Sequence, residues 1–124
     1  MRLPALAALA ALSLSGCAGS HHMMMVEQGY EPGALAVSAI ARSDWRVAEA
    51  NLGAMRGVKA DDPARLINLG TVYFETGRSR EAFAAWQRAL AAKHHYMVET
   101  VDGRTVSTEQ LAKEALNRYA LASR

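Results

Sequence analysis

Apolar positions in the middle of the chain recur at the three- and four-residue intervals of a helix surface. Leu66, Leu69 and Tyr73 fall on one face of a segment that opens at Asp62 and Pro63. Asp is a good N-cap, and Pro at the first helical position gives up no hydrogen bond. Gly77 supplies the positive φ that ends this helix and turns the chain. A second helix, about Ser79 to Ala92, presents Ala82, Phe83, Trp86, Ala89 and Leu90 to a core. Upstream, the pattern predicts helices near 34–42 and 45–56, with Asp44 as an N-cap and Gly57 as a stop. Gly53 lies inside the latter at a cost of about 1 kcal/mol. After His94 the pattern changes. Tyr96 to Val106 is rich in β-branched residues around Asp102 and Gly103, which predicts a short β-hairpin. A ribbon this short is marginal unless it packs on something else. Ser107 to Gln110 has capping-box spacing. A last helix then runs to about Leu121, with Leu111, Ala115, Leu116 and Tyr119 on one face and Lys113, Asn117 and Arg118 on the other.

The segments repeat. With Ala48 placed over Ala82, Leu35 falls on Leu69, Ala36 on Gly70, Ser43 on Gly77, Leu52 on Trp86 and Met55 on Ala89, a period of 34 residues. Gly70 and Ala82 must be small where the two helices of a hairpin cross closely. In the second copy, Pro63 to His94, the residues Leu66, Leu69, Gly70, Tyr73, Gly77, Ala82, Trp86 and Ala89 stand at characteristic spacings. On these residues the chain resembles the tetratricopeptide repeat (TPR) family. The first copy departs from the pattern: Ala39 and Leu52 stand where the family has aromatics. The resemblance implies an all-α, right-handed stack of two hairpins over 33–124, and the final helix serves as the cap that stacked repeats need.

The N-terminus carries a different signal. Met1 and Arg2 form a short positive region, and Leu3 to Leu14 is an apolar run too short to span a bilayer. It ends in Leu14-Ser15-Gly16-Cys17, which resembles the lipobox of bacterial lipoproteins. That resemblance implies a signal peptide at 1–16, diacylglyceryl attachment to Cys17, and a tether from 17 to 32. With Ala18 rather than Asp after the cysteine, it also implies sorting to the periplasmic face of the outer membrane. Acyl chains give such an anchor its strength, at about 0.8 kcal/mol per buried methylene.

Composition adds exclusions. About half the chain is apolar, with two Trp, four Tyr and two Phe, which favours closely packed helices in one domain. The formal net charge of +2 includes Arg2 of the leader, so the processed chain is close to neutral and has no electrostatic case for nucleic-acid binding. One cysteine permits no internal disulfide.

No catalytic constellation emerges. The four His occur as two adjacent pairs without helical metal-ligand spacing. His94 and His95 stand where a helix should end, where cations complement its dipole. His21, His22, Met23, Met24 and Met25 are ligand types that suit Cu(I). Against that stands a flexible spacer, favoured because the tract is single and short. No cofactor is expected beyond the lipid on Cys17, and the chain reads as a binding protein rather than an enzyme. The TPR resemblance puts Asn68, Thr71, Phe74 and Glu75, with Val37 and Ala41 of the first copy, in a concave groove for a protein partner. The carboxylate clamp of chaperone-binding members is not reproduced, since Gly33 and Val37 replace its Lys and Asn, although Asn68 matches one position. The expectation is a membrane-anchored adaptor. The alternatives are a copper-handling lipoprotein using 21–25 and a self-associating structural lipoprotein.

Overall fold

Three helix starts carry the caps that the sequence marks. The computed structural model describes residues 29–124. The leader, Cys17 and the tract from His21 through His22, Met23, Met24 and Met25 lie outside the described residues. The described helices are α1 (Val37–Ala41), α2 (Trp45–Ala54), α3 (Pro63–Glu75), α4 (Ser79–Leu90) and α5 (Thr108–Ala122). Strands β1 (Met97–Glu99) and β2 (Thr105–Ser107) precede α5. Asp44 accepts from the Val47 N–H, Asp62 from Arg65 and Ser107 from Gln110, each relieving one orphan donor of a first turn.

The fold is mostly helical, with one small two-stranded sheet. α3 is its centre and packs against α2, α4 and α5. One apolar cluster gathers Ala64, Leu66 and Ile67 of α3, Ala82, Trp86 and Ala89 of α4, and Leu111, Ala112 and Ala115 of α5. A second joins Ala39 and Ile40 of α1, Ala48 and Leu52 of α2, and Leu69 and Val72 of α3. Tyr73 packs against both. Gly70 is small for a specific reason: a Cβ built there would lie inside the Trp86 indole. Trp86 is itself 2% exposed and donates its ring N–H to the Ile67 carbonyl at 3.0 Å. Gly77 adopts φ +79° at the α3–α4 turn.

The hairpin pairs Met97 with Ser107, Val98 with Val106 and Glu99 with Thr105. It holds because Val98 and Val106 are buried in the α3–α4–α5 core, the support that a short ribbon lacks alone. Its turn is closed by Thr100, whose hydroxyl donates to Asp102, and by Gly103 at φ +83°. The Thr100 hydroxyl, followed by Arg104, holds the exposed Asp102 carboxyl below the usual carboxylate range.

The first copy differs from expectation. Its leading helix is five residues long rather than the span 34–42, because Ala36 sits at φ +57° and Ala34 and Leu35 belong to a turn. Tertiary contact outweighs helix propensity here: Ala34, Leu35 and Ala36 are all buried, and the Leu35 carbonyl accepts a hydrogen bond from Asn68 of α3. α2 ends at Ala54 through Met55, another residue at positive φ (+49°), two positions before Gly57 at +62°.

Candidate functional site

The six positions expected to line a groove do not share one exposure. Asn68 is fully buried; its side-chain N–H donates to the Leu35 carbonyl at 2.7 Å, and its Oδ1 meets no donor. Thr71 is 5% exposed, and its hydroxyl donates to the Ile67 carbonyl one turn back. These two are therefore interior residues of α3 and do not line an open groove. The reason is packing: α3 is enclosed by other helices, and the segment before α1 lies over Asn68. Val37, Phe74 and Glu75 are half-buried and Ala41 is exposed. Val37 and Phe74 pack on the same core cluster, with the Phe74 ring 5.7 Å from that of Trp86.

A polar cluster that sequence reasoning missed lies at the start of α3. The Asp62 carboxylate, besides capping the helix, accepts from the Tyr96 hydroxyl at 3.0 Å and from the Tyr30 hydroxyl at 3.2 Å. The two phenols also bond each other. Burial, with the neighbouring Asp62 charge, pushes the Tyr30 hydroxyl up to about 12 against the opposing pull of its bond to Tyr96. Burial and the bond to Tyr30 raise Tyr96 further. Both phenols therefore stay protonated at neutral pH, and their two protons are shared between the Asp62 carboxylate and the contact between the hydroxyls. Tyr30, assigned by sequence to the tether, packs against the domain core. Asp62 and Tyr96 stand 34 positions apart, the spacing at which the sequence pattern recurs. That spacing was the signal available.

Above this cluster opens a cleft of about 550 Å³ between the α2–α3 loop and the residues that follow α4. Lys59 and Asp61 line it from the loop, and Lys93 and His94 from the opposite wall. Neither lysine makes an ion pair among the described residues. The loop is held from inside by Arg65, which is 7% exposed. Its guanidinium donates to the Leu52 carbonyl at 2.8 Å and the Ala60 carbonyl at 3.0 Å, satisfying a C-terminal carbonyl of α2. Burial, followed by the Arg88 charge, lowers its pKa from the ordinary arginine value.

The opposite wall is held by His95. Its Nε2 lies 3.1 Å from the Leu90 carbonyl, and its Nδ1 lies 3.0 Å from the Thr108 hydroxyl. A carbonyl can only accept, so Nε2 donates in this pairing, and Nδ1 and the Thr108 hydroxyl form the second bond. The histidine pair is thus divided: His95 ties the end of α4 to the start of α5, while His94 faces the cleft.

The chain matches no family model, no curated protein and no solved structure. Its site must be read from its own residues. The cleft is lined by two ammonium groups, an imidazole and the carboxylates of Asp61 and Asp62, on walls held by the hydrogen bonds of Arg65 and His95. Among the described residues, no three His, Cys, Asp or Glu side chains converge as a metal ion would need. No described helix is long and apolar enough to cross a membrane.

Proposed function

We propose that this protein is a membrane-anchored adaptor: a TPR-like stack of helical hairpins that docks a protein partner, held at the periplasmic face of the outer membrane by lipid on Cys17. The observation that carries the docking half is the seating of Trp86 on Gly70. It matches the reason a tetratricopeptide hairpin keeps a small residue opposite a bulky one. Helices that pack chiefly on their chain neighbours, with α5 closing the last hairpin, support the same reading. The anchoring half is supported by the order of positive region, apolar run and Leu-Ser-Gly-Cys at 14–17. With Asn68 and Thr71 inside the domain, the docking surface on this side reduces to Phe74, Glu75, Val37 and Ala41.

Two measurements test the proposal. Cys17→Ser in the full chain is expected to abolish labelling by radioactive fatty acid and to leave the precursor uncleaved; normal processing and membrane retention would overturn the anchoring half. A photocrosslinking residue at Phe74 in cells is expected to capture one dominant protein. Capture of only a second copy would replace the adaptor with a self-associating lipoprotein.

A further inference from the structure

The β-hairpin has one strand edge left open among the described residues. Its ladder bonds fall on even-numbered positions. The Thr108 N–H donates to the Tyr96 carbonyl and the Thr100 N–H to the Arg104 carbonyl, with Val98 opposite Val106 between them. Alternation along an antiparallel strand then turns the N–H and C=O of Met97 and Glu99 away from β2. No third strand lies beyond β1, and no hydrogen bond among the described residues uses those groups. On β2 the matching residues are Thr105 and Ser107, and Ser107 is already committed as the N-cap of α5. We infer that the open edge of β1 is a docking site for an extended segment of a protein partner that carries a basic residue between two apolar ones.

An open edge selects an extended backbone, because a strand presents donors and acceptors at the matching spacing. Side chains then select the sequence. Met97 is 61% exposed and Val101 is 53% exposed, and Glu99 stands between them without an ion pair among the described residues. Neighbouring charge does not cancel its carboxylate. From 93 to 114 the acids Glu99, Asp102, Glu109 and Glu114 outnumber the bases Lys93, Arg104 and Lys113. Arg104 is engaged by Asp102 and Glu114, and Lys113 by Glu109. Directly opposite side chains in a ladder lie about 4.5–5.5 Å apart, so a lysine facing Glu99 would pair with it while apolar neighbours cover Met97 and Val101. Antiparallel pairing of two copies through this edge would set His95, Met97 or Glu99 opposite Glu99, none of them an ammonium or guanidinium group.

The edge is separate from Phe74 and from the lipid anchor, so it and the adaptor reading can fail independently. The test uses the full chain in detergent micelles and a fluorescein-labelled peptide with valine, lysine and valine at alternate positions and threonine between them. Fluorescence anisotropy is expected to show saturable binding. Glu99→Lys should weaken it about fivefold, and replacing the peptide's lysine with glutamate should restore binding to that variant. Glu99 is exposed, so the substitution should leave the circular dichroism spectrum unchanged. Methylating the backbone nitrogens of the peptide's lysine and valines should abolish binding, because it removes the donors to the edge. Bound peptide should slow hydrogen exchange at the Met97 and Glu99 amides and leave Val98 as it was. No saturable binding, equal binding of the methylated peptide, indifference to the charge swap, or protection without that alternation would overturn the inference. So would sedimentation as a dimer with the Met97 and Glu99 amides already protected before peptide is added, which would assign the edge to a second copy.

Discussion

The two hairpins share a period and differ in how their backbones are satisfied. In the second, α3 and α4 turn at a glycine with positive φ, α3 starts at a capped Asp-Pro, and Trp86 is seated on Gly70. In the first, α1 has five residues and no side-chain cap. All three positive-φ residues other than glycine among those described, Ala36, Ser43 and Met55, lie there. Each such residue costs on the order of 1 kcal/mol. One hairpin is thus specified by local sequence, and the other is held largely by what it packs against. Arg78 shows the dependence: its guanidinium lies 4.2 Å from the centre of the Tyr73 ring and pairs with Glu49 of α2 at 2.9 Å.

The comparison breaks first at the aromatic seat. Trp86→Ala should cost about 3–5 kcal/mol in urea unfolding. Leu52→Ala, at the matching position of the first copy, should cost less, and equal losses would erase the asymmetry. Next comes the bond that fastens the weak copy to the strong one. Asn68→Ala removes the donor to the Leu35 carbonyl, at about 1–3 kcal/mol. Hydrogen exchange should quicken at 34–40 before it does in α4; uniform loss of protection would show that the bond does not serve one hairpin selectively.

A smaller effect concerns the phenols. Tyr30→Phe should lower stability by about 1 kcal/mol. The folded pKa of Tyr30 is raised from 10.0 to about 12, so its contribution is fully present below pH 10 and is lost as the pH climbs toward 12. Wild-type stability should therefore fall across that alkaline window, and Tyr30→Phe should flatten the fall; parallel profiles would contradict the cluster. The smallest effect is a gain. Gly53 lies on the exposed side of α2 with nothing near a Cβ, so Gly53→Ala should stabilise the chain by about 0.5–1 kcal/mol. A loss at that site would mean that α2 is not held as a helix by its own residues.

What was legible in the sequence was local. Asp44, Asp62 and Ser107 read as caps because an N-cap acts within three residues, and Asp102-Gly103 read as a turn because a tight turn is complete in four. Trp86 and the face of α5 followed from periodicity. The length of α1 was misread because the turn at Ala34 to Ala36 is imposed from α3, thirty-odd positions away. The burial of Asn68 and Thr71 had the same origin: spacing gives the face of a helix, and only the fold decides what covers that face. Nothing near Arg65 in the chain announces the two carbonyls it holds.

Tyr30 has a mechanical meaning. It precedes every described helix, yet its hydroxyl is fastened to Asp62 at the head of the central one. Tension entering from the N-terminal side would reach that junction before it reached the frail first hairpin. A tug on the chain is thereby delivered to the sturdiest part of the molecule, and the five-residue helix beyond it is spared the strain.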